Sequence, residues 1–181
     1  ILSAPDKTVL FDYLLTRPLV IEHNNSLFVH AGVPPQWSKS EVIKNAEVVH
    51  KNLQSKNVSE FLSKMYGNYP NKWTSNLSNE ERSRYTINAL MRMRFCKEDG
   101  ELEFEHKLNI DKNPENFKAW FLHSNRLMAD EEIFFGHWSS LKNVDSKNIY
   151  PLDHGCVWGD RLTAYNLTNH NYISQKSLEI N

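Results

Sequence analysis

Two histidines, two arginines and a group of aromatic rings carry most of the chemistry this sequence offers. His30 closes the apolar run Leu27-Phe28-Val29 and is followed by Ala31 and Gly32. His137 closes Ile133-Phe134-Phe135, with Gly136 before it and Trp138 after. A short, continuous apolar run suits a strand buried on both faces, and a small neighbour lets the backbone come close to whatever the imidazole touches. Layered α/β folds hold ligands and metals at such strand ends. Two neutral imidazoles meeting at one point make half of a site for a borderline divalent metal, with bonds of about 2.0–2.1 Å in the case of zinc. Taken singly, each histidine also fits a hydrogen-bonded residue near the core. No carboxylate stands close to either one in the sequence.

Arg92 and Arg94 lie in Met91-Arg92-Met93-Arg94-Phe95-Cys96. In an extended segment, residues two apart face the same side, so the two planar forks could grip phosphate oxygens together. Ion pairing with the many glutamates is the other reading. Tyr66, Tyr69 and Trp73 share one loop, and Trp138 and Trp158 flank the histidine region. Such rings either stack on a nucleobase or pack the fold. Cys96 reads as a small buried residue. His23, His50, His106, His123 and His170 stand in polar contexts and are expected at the surface, and His154 is expected in a loop.

The elements that must position these groups follow from the pattern. A helix is expected from Pro5 to about Thr16, with Val9, Leu10, Tyr13 and Leu14 at helical spacing. Leu19–Glu22 and Leu27–His30 read as strands joined by Asn24-Asn25. Ser38–Glu41 and Ser78–Glu81 are capping boxes, and Asn57 reads as a third cap. The region of about 38–92 is therefore a helical insert between the two histidine-bearing strands. Leu102, Phe104 and His106 alternate with glutamates as a strand would. Further strands are expected at Asn148–Leu152 and Leu162–Leu167, and the tail from Ser174 is expected to fray.

The totals exclude several classes. The 181 residues carry a net charge of -1, which argues against a general nucleic-acid binder. The sequence contains no run of 18 apolar residues that would span a membrane. Two cysteines are too few for a disulfide scaffold, and a reduced cytoplasmic location is expected. The opening Ile1-Leu2-Ser3 reads as an interior start, the later part of a longer protein.

Several stretches, in order along the chain, resemble the bacterial symmetrical diadenosine tetraphosphatases, a branch of the calcineurin-like metallophosphoesterases. They are Ala4-Pro5-Asp6, Val29-His30-Ala31-Gly32 with Pro35-Gln36-Trp37, Met65-Tyr66-Gly67-Asn68 with Pro70 and Trp73, Ile87-Asn88-Ala89, Arg92-Met93-Arg94-Phe95-Cys96, Phe135-Gly136-His137-Trp138, and Leu152-Asp153 with Gly155-Cys156-Val157-Trp158-Gly159. The resemblance implies an α/β fold. All 181 residues would form the C-terminal portion of one β-sandwich domain flanked by helices. It also implies hydrolysis of diadenosine tetraphosphate to two ADP with two divalent metals, cobalt or manganese. By that resemblance His30 and His137 would ligate one metal, Arg92 and Arg94 would hold phosphate, and Tyr66, Trp73 or Trp138 would take a base. The family's early Asp-x-His and Gly-Asn-His motifs do not occur in this sequence, and its one Gly-Asp pair, Gly159-Asp160, is not in the early position the family uses, so the chain alone is expected to be inactive. A non-catalytic remnant that binds nucleotide, and a protein phosphatase, are the competing readings.

Overall fold

The computed structural model describes residues 3–141 and 144–178. It is a mixed α/β fold of four helices and three sheets among these residues. In chain order the elements are α1 (Lys7–Leu15), β1 (Val20–His23), β2 (Ser26–Val29), α2 (Lys39–Leu53), α3 (Val58–Ser63), α4 (Asn79–Arg92), β3 (Phe95–Cys96), β4 (Leu102–Glu103), β5 (Lys118–Ala119), β6 (Glu132–Phe135), β7 (Ile149–Pro151), β8 (Asp153–His154), β9 (Arg161–Asn166) and β10 (Asn171–Lys176).

The main sheet runs β1-β2-β6-β7. β1 and β2 form an antiparallel hairpin, while β2–β6 and β6–β7 are parallel. The register places Leu27 beside Ile133 and Val29 beside Phe135, which is why the two apolar runs end level with each other. Alternate residues of these strands serve two different layers. Leu27, Ile133, Phe135 and Ile149 join the core with Val42, Ala46, Tyr85, Leu90 and Trp120. Phe28, Phe134 and Tyr150 form a cross-strand ladder on the other face, with stacked ring centroids 4.8 and 4.5 Å apart. Such pairs are a main source of sheet stability. Tyr165 of β9 caps the ladder, 5.1 Å from Phe134.

The insert is helical as its patterning predicts. The capping boxes at Ser38 and Ser78 both form, each serine accepting from the amide of Glu41 or Glu81, and each is worth roughly 1 kcal/mol. α2 buries Val42, Ala46 and Val49. The Asn57 side chain makes no cap hydrogen bond, and α3 is only six residues long. The alternating strand is also shorter than expected. Only Leu102–Glu103 pairs, as an edge of the sheet β4-β3-β5, because Glu103 accepts from the amides of Glu105 and His106 and turns the chain. The tail does not fray at Ser174: β10 pairs with β9 through Lys176. No helix among the described residues is long and apolar enough to cross a membrane.

One face of the fold is left unusually apolar. α1 buries no residue, with Val9, Tyr13 and Leu14 each more than half exposed. A groove of about 480 Å³ between α1, the β1–β2 hairpin and the insert is lined by Leu14, Ile21, Phe28, Val49, Leu62 and Met91, and it reaches His30.

Candidate active site at the strand ends

The carboxyl ends of β2, β6 and β7 lie side by side, and the chain continues from each into a group with chemistry. Gly136 N–H donates to His30 O at 3.0 Å, and Leu152 N–H donates to Phe135 O at 2.7 Å. These bonds carry the alignment of the strands one residue past their formal ends. His30 and His137 consequently face each other, ring centroids 5.1 Å apart and tilted by 53°.

Each histidine is aimed by its surroundings. Ala31 N–H donates to Leu90 O at 2.8 Å, tying the end of β2 to α4. Gly32 follows because a Cβ there would lie 2.7 Å from the buried Trp120 ring. On β6, Trp138 N–H donates back to Gly136 O at 2.7 Å, and His137 between them has φ +65°. This is the hydrogen bond and left-handed φ of the rarer, strained γ-turn, a conformation that costs on the order of 1–3 kcal/mol for a non-glycine residue. It swings the imidazole sideways off the strand. The ring nitrogen Nε2 lies 3.1 Å from Arg92 O. A carbonyl can only accept, so Nε2 carries the hydrogen and Nδ1 keeps its lone pair.

The electrostatics favour neutral rings. Burial, then Arg94 and His30, push the His137 pKa down to about 4. His30 is lowered as well, chiefly by the protein around its ring and by Arg94, with Asp153 opposing. Neutral imidazole is the form that ligates metals. Bonds of ~2.0–2.1 Å to one ion would set two imidazole centroids about 5 Å apart, which the observed spacing matches. Among the described residues, no group of three or more His, Cys, Asp or Glu side chains gathers in a metal-binding cluster. The pair therefore fits part of a metal site and not a whole one.

Arg94 donates through Nη2 to His137 O at 3.2 Å, while its Nε is buried without a hydrogen-bond partner. Burial lowers its pKa, and Asp153 and Glu103 raise it. Arg92 is placed differently from the sequence expectation. It is the last residue of α4 rather than part of an extended segment, and its fork is occupied by Asn68, Asn88 and Gly67. The two guanidinium groups thus serve different partners.

Among the aromatic candidates, Tyr66 is 95% exposed and Tyr69 73%. Trp73 is half-buried between Trp37 and Tyr85, with Arg82 over its ring, which is the packing alternative. Trp138 is buried, in ring contact with Phe95 and Phe121, and its Nε1 donates to Leu108 O. Its faces offer nothing to a base. Trp158 is largely exposed. His123 corrects the surface expectation: it is buried, and Nε2–H donates to Cys96 O at 2.9 Å. His50 is half-buried, whereas His23, His106 and His170 are exposed. Cys96 is buried as expected, and His154 lies in β8 rather than a loop.

Asp153 is the site residue that sequence reasoning missed. Its Oδ1 accepts from Gly155 N–H at 3.0 Å, and its Cβ would lie 3.7 Å from a side chain placed at Gly136. Its charge is felt by His30, His137 and Arg94 alike. The signal that could have revealed it is the turn after β7, since a third parallel strand must deliver its following residue to the same row.

Curated relatives match nearly the whole chain. A protein of Haemophilus ducreyi named symmetrical bis(5'-nucleosyl)-tetraphosphatase is 42% identical over 180 residues, covering 98% of this chain and 67% of the relative. The chain belongs to this family. Proteins of the same name from a Janthinobacterium species and from Pseudomonas putida are 41% and 39% identical, over 97% and 95% of this chain. This member spans 61–67% of the length of these three family proteins. No protein-family model matches the chain.

Proposed function

We propose that this chain contributes the phosphate-facing part of a symmetrical dinucleoside tetraphosphate hydrolase, cleaving diadenosine tetraphosphate to two ADP. The observation that carries the reading is the meeting of His30 and His137, distant in sequence, with centroids 5.1 Å apart. The names of relatives at about 40% identity support it.

In this reading His137 Nδ1 and a nitrogen of His30 hold one divalent cation. When bound, a pair of such ions, cobalt or manganese by the family resemblance, supplies a hydroxide nucleophile and neutralises phosphate charge. Arg94, fixed by His137 O, presents a preorganised cation to the phosphate chain, where charge neutralisation and positioning are the main catalytic means. Asp153 balances the charge of Arg94 beside the two neutral rings. Tyr66 and Tyr69 offer exposed faces to an adenine.

The remaining metal ligands of the two-metal site would come from sequence outside these 181 residues. A second reading, nucleotide binding without turnover, is favoured by the absence of a three-ligand cluster among the described residues.

Calorimetric titration with Mn²⁺ or Co²⁺, alongside an assay of ADP release from diadenosine tetraphosphate, tests the proposal. We expect His30→Ala and His137→Ala each to weaken metal binding at least about tenfold, as loss of one of two ligands demands. Unchanged binding in both variants overturns the metal role. Metal binding without ADP release by the 181-residue chain supports the second reading.

A further inference from the structure

Arg92 is committed in two places at once. Its carbonyl receives the His137 ring N–H at 3.1 Å. Its guanidinium donates through Nη2 to Asn68 Oδ1 at 2.8 Å, and through Nη1 to Asn88 Oδ1 at 2.9 Å and Gly67 O at 3.4 Å. The Arg92 fork also lies over Phe104, 4.5 Å from the ring centroid. Asn88, itself 1% exposed, donates to Gly67 O at 2.9 Å. Earlier on the same helix, Arg84 donates to Lys64 O at 2.6 Å and Tyr69 O at 2.9 Å. The loop around Gly67 is thus held from α4 on both sides of its two protruding tyrosines.

This arrangement is hard to explain as packing. Tyr66 and Tyr69 stand 95% and 73% in solvent, so their rings bury little apolar area for the fold. Yet the backbone beneath them is secured by charge-assisted bonds, which are stronger than neutral ones. Exposed, preorganised aromatic faces are what stacking on a planar base requires. A phosphate gripped by both arms of the Arg92 fork would have to displace the side chains of Asn68 and Asn88.

We propose that Arg92 is a positioning residue and not a phosphate contact: it fixes the Tyr66–Tyr69 loop, as a platform for the purine of a nucleotide, relative to His137. The nucleotide end of this inference rests on the proposed function, whereas the clamp itself does not. Lysine would substitute only in part, because a single ammonium group can keep one of the bonds but does not span Asn68 and Asn88 as a planar fork does.

Two measurements test it on the 181-residue chain. Amide hydrogen exchange in residues 64–69 is expected to speed up about tenfold in Arg92→Gln and less in Arg92→Lys, the size one lost charge-assisted bond allows, with α2 unchanged. ADP affinity is expected to fall about tenfold, the same bond loss read at the base end, while pyrophosphate affinity stays unchanged. Asn68→Ala, which removes one acceptor and no charge, should shift ADP alone and serves if Arg92 variants do not fold. Unchanged loop exchange overturns the clamp. Equal loss of ADP and pyrophosphate overturns the positioning role and returns Arg92 to the phosphate. If the wild-type chain binds neither probe, the nucleotide reading fails while the exchange result still decides the clamp.

Discussion

Gly32 shows how closely the chain is packed just past the first histidine. A methyl group at this position would stand 2.7 Å from Cδ1 and Nε1 of Trp120 and 3.0 Å from Met93. The indole is 1% exposed and meets Phe121 and Phe135 edge-on, so it cannot step aside. Gly32→Ala should therefore destabilise the fold by roughly 1–3 kcal/mol, the usual cost of overpacking, and displace His30 with it. Urea denaturation measures the first effect and metal titration the second; a variant as stable as the wild type would show that the indole yields. At this scale the two histidines were legible, because each ends an apolar run beside a small residue. Asp153 was not, since it joins them only through lateral strand neighbours. The helical span to about 92 was legible, but the pairing of Arg92 with Arg94 was not borne out: Arg92 ends α4, and its fork turns to Asn88 one turn back and to Asn68, which only folding brings near.

The elements themselves were legible where local chemistry decides them. Both serine capping boxes and the two apolar strands are where the pattern puts them. The two-residue strands β3, β5 and β8 were not foreseen, because they exist only as partners of distant segments. His123 belongs to that group: its ring N–H joins the turn after Leu122 to Cys96 of β3, a contact that its polar sequence neighbours conceal. Burial lowers its pKa below the ordinary 6.5. The folded state thus prefers the neutral ring, and the unfolded chain takes up the proton first as pH falls. The stabilising contribution is complete above about pH 6.5 and declines below it. Comparing urea midpoints at neutral and mildly acidic pH should show His123→Gln losing less stability than the wild type; equal losses would mean the ring is not held neutral.

For the molecule as a whole, the parallel pairing of β2 with β6 has a consequence for assembly. These strands meet only after the entire insert and the β3–β5 region have been synthesised, since Ser26 pairs with Glu132. Long-range parallel contacts must repay a large loop-closure entropy before they reward the chain, whereas α2 and α4 can form from nearby residues. In stopped-flow refolding, far-ultraviolet helical signal should recover before near-ultraviolet aromatic signal; simultaneous recovery would indicate that the sheet organises the helices instead. On a ribosome, a chain released before β6 has emerged would carry His30 without its counterpart. The constellation that gives the protein its proposed chemistry is, in this sense, a late event in its biogenesis, and an incomplete product would be helical yet chemically blank.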